Sequence, residues 1–348
     1  MKQQFLNLAF ILAISVAFGQ TTVDSIVNKG IEFHDTGDYQ SAIETYKKAL
    51  EIEPNSSLVH TELAMTYMYN QDYENAIKHS DLVFEQNGDH LLPAYITKAS
   101  SLDYLGKPDE AISLFQEGIE KFGDHFLLLY NLAYTYYEQE EYEKAIPILK
   151  RGIASNPDHS SSHFLLGEIM SLLNRNAESV LNLHYFLFLE PNTDRSVTAF
   201  NMLLNKYGAN VSQDEEKENQ INISLDPEQS SGEFGPANMM LSMLGATNMI
   251  EKKEGKSEME LFISNTESVF KILGELKDDN ENSGLYWDFY IPFFHDLAKS
   301  EHLETYCYYI SLSVNDKSPE WLNENSEKTE AFGDWLQGLN TENQETQN

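Results

Sequence analysis

The side chains with the greatest chemical potential in this sequence lie near its C-terminal end. Cys307 stands in a run of aromatic residues, and His295 and His302 precede it. A cysteine beside a histidine is the pairing that a nucleophilic enzyme uses, because the imidazole removes the thiol proton. The two histidines, with Asp296 and Glu301, are also residue types that bind metal ions. The alternative, which the aromatic surroundings favour, is an inert thiol buried in a core.

Motifs that would support an enzymatic reading are absent from the sequence. It contains no phosphate-binding glycine loop, no dinucleotide fingerprint, no nucleophile elbow and no His-Glu-x-x-His run. The single cysteine excludes an internal disulfide and a cysteine-rich zinc site. The sequence therefore predicts a protein that is not an enzyme and uses no cofactor or metal. The alternative is a helical enzyme or metal protein with its site near His295, His302 and Cys307.

Three tyrosines have a spacing that suits binding rather than catalysis. Tyr130, Tyr134 and Tyr137 recur at the period of one helix face. Tyrosine combines a large apolar area with a polar hydroxyl, which is typical of hydrated binding surfaces. The spacing predicts one stripe of three rings on a helix. The alternative is that the stripe packs against another part of the same chain.

The charge of the chain narrows the class of partner. Its 348 residues include 56 acidic and 23 basic side chains, for a formal net charge of −33. Binding to nucleic acid or to an anionic membrane needs clustered lysine and arginine, so both are excluded as partners. The composition instead predicts a protein or peptide partner that is neutral or basic.

The elements that position these residues follow from an internal repeat. Small residues recur at two positions in steps of 34 or 35 residues, and a bulky residue follows the first of them. Two helices approach closely only where small residues face each other, so each unit predicts a pair of packed helices. The small residues are Gly30, Ala64, Ala99, Ala133 and Gly167, and then Ala42, Ala76, Ala111, Ala145 and Ser179.

Polar residues mark where these helices begin. Asp38 and Asp72 lie in the turns inside two units and are predicted to cap the second helix of each pair. Between units, an aspartate and a histidine recur together, and the aspartate is predicted to cap the following first helix. These pairs are Asp89 with His90, Asp124 with His125 and Asp158 with His159.

In its first half the chain resembles the tetratricopeptide repeat family. The match is best in the first unit, which has the family residues Gly30, Phe33, Ala42, Tyr46, Ala49 and Pro54. The resemblance implies an all-α fold, a solenoid of helical hairpins, with repeats at 23–56, 57–90, 92–125, 126–159 and 160–193. The fifth repeat departs from the pattern, with Ser179 in place of alanine and Phe186 at a position that is usually small.

The resemblance also implies a binding groove. First helices line the concave face in this family, and ligand contacts come from fixed positions along them. Carried over to this sequence, the peptide-binding residues are Met65, Met68, Tyr69, Asp103, Tyr104, Tyr130, Tyr134, Tyr137 and Phe164. No lysine or arginine occupies these positions, so the basic clamp that some members use for a terminal carboxylate is not expected.

The ends of the chain differ from the repeats. Residues 1–19 have one lysine, an apolar run and small residues before Gln20, which is typical of a signal peptide and predicts a periplasmic or secreted protein. No later segment has the length and apolar character of an integral membrane span. Residues 338–348 are predicted to be a disordered polar tail.

Between the repeats and the tail, the sequence predicts three further regions. Residues 194–207 resemble a helix that caps the solenoid, so the solenoid is expected over 20–207. Residues 208–235 form an acidic linker without an apolar period. Residues 236–337 are predicted to form a small helical domain, whose first helix has its apolar face at Met239, Met240, Met243 and Leu244. An alternative role for this domain is self-assembly or assembly of an envelope complex; the sequence leaves the oligomeric state open.

Overall fold

Each unit of the repeat folds as two helices joined by a short turn. The computed structural model describes residues 23–208, 211–213, 221–223, 231–278 and 281–345. The expected all-α fold of tetratricopeptide hairpins is confirmed. The helices of the five pairs are α1 (23–35), α2 (Tyr39–Ile52), α3 (Ser57–Tyr69), α4 (Tyr73–Gln86), α5 (Leu91–Tyr104), α6 (Pro108–Phe122), α7 (Phe126–Glu138), α8 (Tyr142–Ser155), α9 (Ser160–Leu172) and α10 (Asn176–Leu189).

The small residues permit the close packing that the repeat predicts. Gly30 lies against the ring of Tyr46, and a Cβ atom at this glycine would stand 2.4 Å from the ring carbon Cε1. Ala42, Ala49 and Ala64 are fully buried. These positions therefore bring two helix backbones within reach of one aromatic ring, which then fills the space between them.

The predicted caps are confirmed inside the repeats and wrong between them. The Ser41 N–H donates to Oδ1 of Asp38 at 3.2 Å, and the Asn75 N–H donates to Oδ1 of Asp72 at 3.3 Å. At the first helices α5, α7 and α9, the capping position is instead held by the histidine after each aspartate, without a side-chain cap. Asp124 is bound by Arg151, whose Nε donates to it at 3.0 Å. That ion pair gives the carboxylate a stronger partner than a helix terminus.

The structure divides into two compact units, Met1–Gly152 and Ile153–Asn348. The division falls within α8, whereas the sequence places the change of organisation at the linker 208–235. The fifth repeat accordingly belongs with the C-terminal helices. The two units are described separately below, as the first unit and the second unit.

The second unit is built around α10. Of its residues, Ala177 and the run from Ser179 to Leu187 are buried, so the helix has no exposed face. A helix that is apolar on all sides is typical of a protein interior. This explains the departures of the fifth repeat from the family pattern. Phe186 is enclosed on its side of the helix, and the Ser179 hydroxyl donates to the Gly167 carbonyl at 2.9 Å.

Helices from the C-terminal part of the chain enclose α10. After the helix α11 (Asp194–Gly208) and two short strands come α12 (Gly235–Lys253) and α13 (Glu258–Asp278). A π-helical turn at Tyr286–Tyr290 leads into α14 (Ile291–Lys299), which is followed by α15 (Leu303–Ile310). The chain continues through α16 (Ser318–Glu324) and α17 (Ser326–Glu345).

Polar contacts fix α10 within this enclosure. Oδ1 of Asn238 on α12 accepts from the Ala177 N–H at the start of α10, at 2.9 Å. Asn182 stands in the middle of the helix, with Tyr286 and Tyr290 bonded to its amide at 2.8 and 2.7 Å. These bonds satisfy buried polar groups that would otherwise destabilise the unit. They also set the rotation of α10 against its neighbours.

His184 is the most deeply enclosed polar group on α10. Its Nδ1–H donates to the Tyr306 hydroxyl at 3.0 Å, and that hydroxyl donates to the His184 carbonyl at 3.1 Å. Its Nε2 accepts from the Tyr207 hydroxyl at 2.7 Å. Burial lowers the pKa of His184 to about 3, so the ring is neutral in the folded protein. One neutral imidazole thus ties the fifth repeat to α11 and α15.

Three sequence predictions for the C-terminal part are wrong in detail. The linker contains a two-stranded antiparallel sheet, in which β1 (Val211–Gln213) pairs with β2 (Ile221–Ile223), and β-branched residues stand opposite each other at Val211 and Ile223. The tail from 338 is helical as far as Glu345, since α17 continues beyond its predicted end. On α12 the predicted apolar face is only partly correct, because Leu244 is buried beside Leu241, Ala237 and Ser242, whereas Met239 and Met243 are exposed.

The predicted signal peptide lies outside the described residues, as do residues 214–220 and 224–230 of the linker. Along the segments that the structure does describe, none of the helices combines the length and the apolar character of a membrane span.

Candidate functional site

Tyrosine rings form three groups of contacting side chains on the first unit. Tyr39 stacks on Tyr69 with ring centroids 5.9 Å apart, and Tyr73 stacks on Tyr104 at 5.1 Å. The stripe predicted on α7 is present, with centroid distances of 6.3 Å from Tyr130 to Tyr134 and 6.0 Å from Tyr134 to Tyr137. We call the set of eight rings the tyrosine surface: Tyr39, Tyr69, Tyr73, Tyr104, Tyr130, Tyr134, Tyr137 and Tyr142.

The surface follows the turns between paired helices. Tyr69 and Tyr104 end the first helices α3 and α5, while Tyr39 and Tyr73 are the first residues of the second helices α2 and α4. Each ring at the start of a second helix stacks on the ring that ends the next repeat's first helix. In the fourth repeat, Tyr142 begins α8 and contacts Tyr137 of the same repeat at 5.8 Å. The rings therefore continue from one repeat to the next.

Sequence reasoning missed three members of this surface. Tyr39, Tyr73 and Tyr142 are outside the first helices, where the family resemblance places ligand contacts. A signal for them was available, because each follows an acidic residue at the end of an intra-repeat turn and they recur in register with the repeat. Pro108 takes the corresponding place in the third repeat, so the stacking pattern is interrupted there.

The two most exposed rings are the best placed to meet a partner. Tyr104 is 60% exposed and Tyr69 is 53% exposed, although both lie in ring contacts. Stacking restricts the orientation of each ring while more than half of its surface stays exposed. An aromatic side chain that is already ordered loses little entropy on binding, which favours affinity. His34 also packs edge-on against Tyr69, at 5.2 Å between centroids.

Two carboxylates lie among the rings. Oδ2 of Asp103 accepts from the Thr135 hydroxyl at 2.8 Å, and Glu138 is bonded to the Tyr134 hydroxyl. Desolvation by burial raises the pKa of Asp103, and the charge of Glu138 raises it further. Burial and the same glutamate raise the pKa of Tyr134 to about 12. Burial raises the pKa of Tyr104 as well, and the neighbouring Tyr73 and then the charge of Asp103 add to the effect. The surface is therefore negative and partly desolvated.

The other predicted groove residues are more enclosed. Met65 is half-buried, and Met68 packs against the core cluster that includes Leu63 and Tyr67. Phe164 belongs to the second unit, where it packs on Phe186 at 4.8 Å and lies 6.0 Å from the guanidinium of Arg195. Its ring is thus engaged by its own unit, which leaves the accessible aromatic area on the first unit.

The alternative site near Cys307 does not have the geometry of a reactive centre. Cys307 is fully buried, and desolvation raises the pKa of its thiol well above the ordinary value. His295 packs directly onto Gly274 of α13, whereas His302 faces Phe332 and Trp335. The three side chains therefore have separate surroundings. A cysteine nucleophile needs a lowered pKa and access to substrate, and Cys307 has neither.

Metal binding at His295 and His302 has no structural support within the described segments. In those segments, no group of three or more histidine, cysteine, aspartate or glutamate side chains is arranged to bind an ion.

Comparison with known families identifies the repeats. The family described as tetratricopeptide repeat matches residues 105–188, and the family described as TPR repeat matches residues 30–71. Human anaphase-promoting complex subunit 7 is 18% identical over 196 residues, which are 56% of this chain and 34% of that protein. Mouse tetratricopeptide repeat protein 28 is 30% identical over 87 residues, 25% of this chain and 3% of that protein. The chain thus spans about a third or less of these relatives.

Solved structures of repeat proteins are similar to part of the chain. A thermophilic TPR protein of Thermus thermophilus has a TM-score of 0.48 and 18% identity, with 52% of this chain and 99% of that chain covered. The PilF protein of Pseudomonas aeruginosa has a TM-score of 0.46 and 13% identity, with 54% and 89% covered. In both, the similarity extends over about half of the present chain.

Proposed function

Because the chain is a tetratricopeptide repeat protein, we propose that it is a non-catalytic scaffold that binds a protein or peptide segment on the tyrosine surface. Repeats of this family form protein-interaction scaffolds. The observation that carries the proposal is the set of three groups of contacting tyrosine rings on the first unit, in which Tyr69 and Tyr104 are more than half exposed. Tyrosine, together with tryptophan and arginine, is enriched among the residues that contribute most of the binding energy at protein interfaces.

The charge of the surface supports a neutral or basic partner. Asp103 and Glu138 lie among the rings, and the eight tyrosines bring no positive charge. A negative surface attracts basic segments during diffusional encounter and repels acidic ones. The inert surroundings of Cys307 support a binding function over a catalytic one.

Selection of displayed random peptides for binding to the immobilised full-length protein tests this proposal. We expect enriched peptides to bind the wild-type protein and to lose roughly ten-fold or more in affinity to the Tyr69→Ala/Tyr104→Ala variant, since two exposed hot-spot rings typically contribute more than 1 kcal/mol each. Both rings are more than half exposed, so the variant keeps its core.

The matched control is Phe122→Ala, which removes an exposed aromatic ring of the same unit outside the tyrosine surface. It is expected to bind the selected peptides as tightly as the wild-type protein does. Peptides that bind the tyrosine variant and the wild type equally would contradict the proposal.

A further inference from the structure

Among the residues that the structure describes, no lysine or arginine pairs with Asp103 or Glu138 on the tyrosine surface. Asp103 is half-buried and accepts one hydrogen bond, from a neutral hydroxyl. A carboxylate that is paired with a cation has a lowered pKa, whereas the pKa of Asp103 is raised by desolvation and by Glu138. The protein thus holds partly desolvated negative charge without compensating it. A cation supplied from outside would recover that cost.

The rings around these carboxylates suit such a cation. Tyr104 follows Asp103 in the chain, and Asp103 accepts a hydrogen bond from Thr135, which lies one helical turn before Glu138 on α7. Tyr134 is bonded to Glu138. The ring of Tyr104 is held by its stack on Tyr73 and has its exposed area available. A guanidinium or ammonium group over the face of a tyrosine is attracted by the ring quadrupole, and more strongly where water is partly excluded.

We propose that this place is an anchor for a basic side chain, an arginine or lysine of the bound segment, which lies on Tyr104 and pairs with Asp103 and Glu138. This inference rests on the proposed function and names the chemistry that the bound segment must have. Charge complementarity selects the occupant, because the anchor combines two carboxylates with an open aromatic face. Arginine fits it in two ways, since its planar group both stacks on rings and bonds to carboxylates.

Peptides selected on the wild-type chain provide the probes for a test. Synthetic versions are titrated by fluorescence polarisation against the wild type, the double variant Asp103→Asn/Glu138→Gln and a control. Both substitutions keep the shape of the side chain, and the amide oxygen introduced by Asp103→Asn can still accept the Thr135 hydrogen bond, so folding is preserved. The control, Glu85→Gln/Glu120→Gln, removes the same charge from positions on α4 and α6 outside the tyrosine surface.

We expect the selected peptides to share an arginine or lysine. Their affinity should fall roughly ten-fold or more on the double variant, as is found when a charged interface pair loses one partner, and stay unchanged on the control. Replacing the basic residue of the peptide with glutamine should lower its affinity for the wild type by a similar factor. The same replacement should lower its affinity for the Asp103→Asn/Glu138→Gln variant little further. Binding should also weaken as salt is added.

Two results would overturn the inference, and they are distinguishable. Peptides that require Tyr69 and Tyr104 but bind the Asp103→Asn/Glu138→Gln variant normally would contradict the anchor and leave the proposed function standing. Selected peptides that have no basic residue would do the same. Peptides that are indifferent to the tyrosines would remove both.

Discussion

At the scale of the residue, His184 shows how a titratable group can stabilise a fold at one pH and not at another. Its two ring nitrogens are both bonded to tyrosine hydroxyls, and the ring is fully buried in the second unit. These contacts fit the neutral imidazole. Burial disfavours the charged imidazolium, and none of the described carboxylates contacts the ring, so the pKa falls to about 3.

The lowered pKa of His184 makes the free energy of unfolding decrease as the pH falls. An unfolded histidine takes up a proton near pH 6.5, whereas folded His184 does not until about pH 3. The contribution is therefore complete above about pH 6.5 and is lost as the pH falls through that range toward 3. Between pH 7 and pH 5, the loss from this group is about 2 kcal/mol of the free energy of unfolding.

Urea unfolding of the His184→Gln variant at pH 7 and pH 5 tests the predicted contribution of His184 to the pH dependence of stability. The variant should be less stable at pH 7, because glutamine bonds the two tyrosines less well, but its stability should fall about 2 kcal/mol less than that of the wild type on acidification. His90→Gln, at an exposed position, should keep the wild-type pH dependence. A His184→Gln variant that loses as much stability as the wild type would contradict the argument.

At the scale of the element, the small residues of the repeat decide how closely paired helices pack. Gly30 illustrates the point, since the Tyr46 ring occupies the space that a Cβ atom would need. The pattern of small residues could be read from the sequence because every repeat needs it. The stacking of Tyr39 on Tyr69 could not, since it depends on how one repeat is placed on the next. On α12 the sequence identified Leu244 as a core residue but not the exposure of Met239 and Met243, because methionine counts as apolar in the pattern whether or not a neighbouring helix covers it.

The same substitution at two helical glycines separates packing from helix propensity. Gly30→Ala should destabilise the protein by about 1–3 kcal/mol, because the added methyl group collides with a fully buried ring. Gly333→Ala on α17 meets no atom within 4 Å and should be neutral or stabilise by up to about 1 kcal/mol. Chemical denaturation of each full-length variant provides the comparison. Equal effects at both positions would show that close packing at Gly30 is unimportant.

At the scale of the whole molecule, the sequence predicted the helical repeats but not that the fifth repeat belongs to the same compact unit as the C-terminal helices. The 34-residue period reports only the features that all repeats share. Helix α10 keeps enough of those features to be identified as the second helix of a fifth repeat. Its extra apolar residues, such as Tyr185 and Phe188, signal a second packing surface whose partner periodicity does not reveal. In the structure, Tyr185 contacts Phe289 at 4.9 Å and Phe188 contacts Phe293 at 5.5 Å. The C-terminal helices thus complete the fifth repeat rather than form a body apart from it.

This arrangement predicts where the chain can be shortened. A chain of residues 20–208 retains all five repeats and α11, but it exposes the side of α10 that the C-terminal helices cover, including Tyr185 and Phe188. Apolar patches of this kind cause association, so we expect light scattering to detect oligomers or aggregates and a hydrophobic dye to bind. A chain of residues 20–337 keeps the covering helices and should stay dispersed without dye binding. If the shorter chain is instead monomeric, binds no dye and unfolds as cooperatively as the longer one, the fifth repeat is stable without its cover and the division between the units has no energetic meaning.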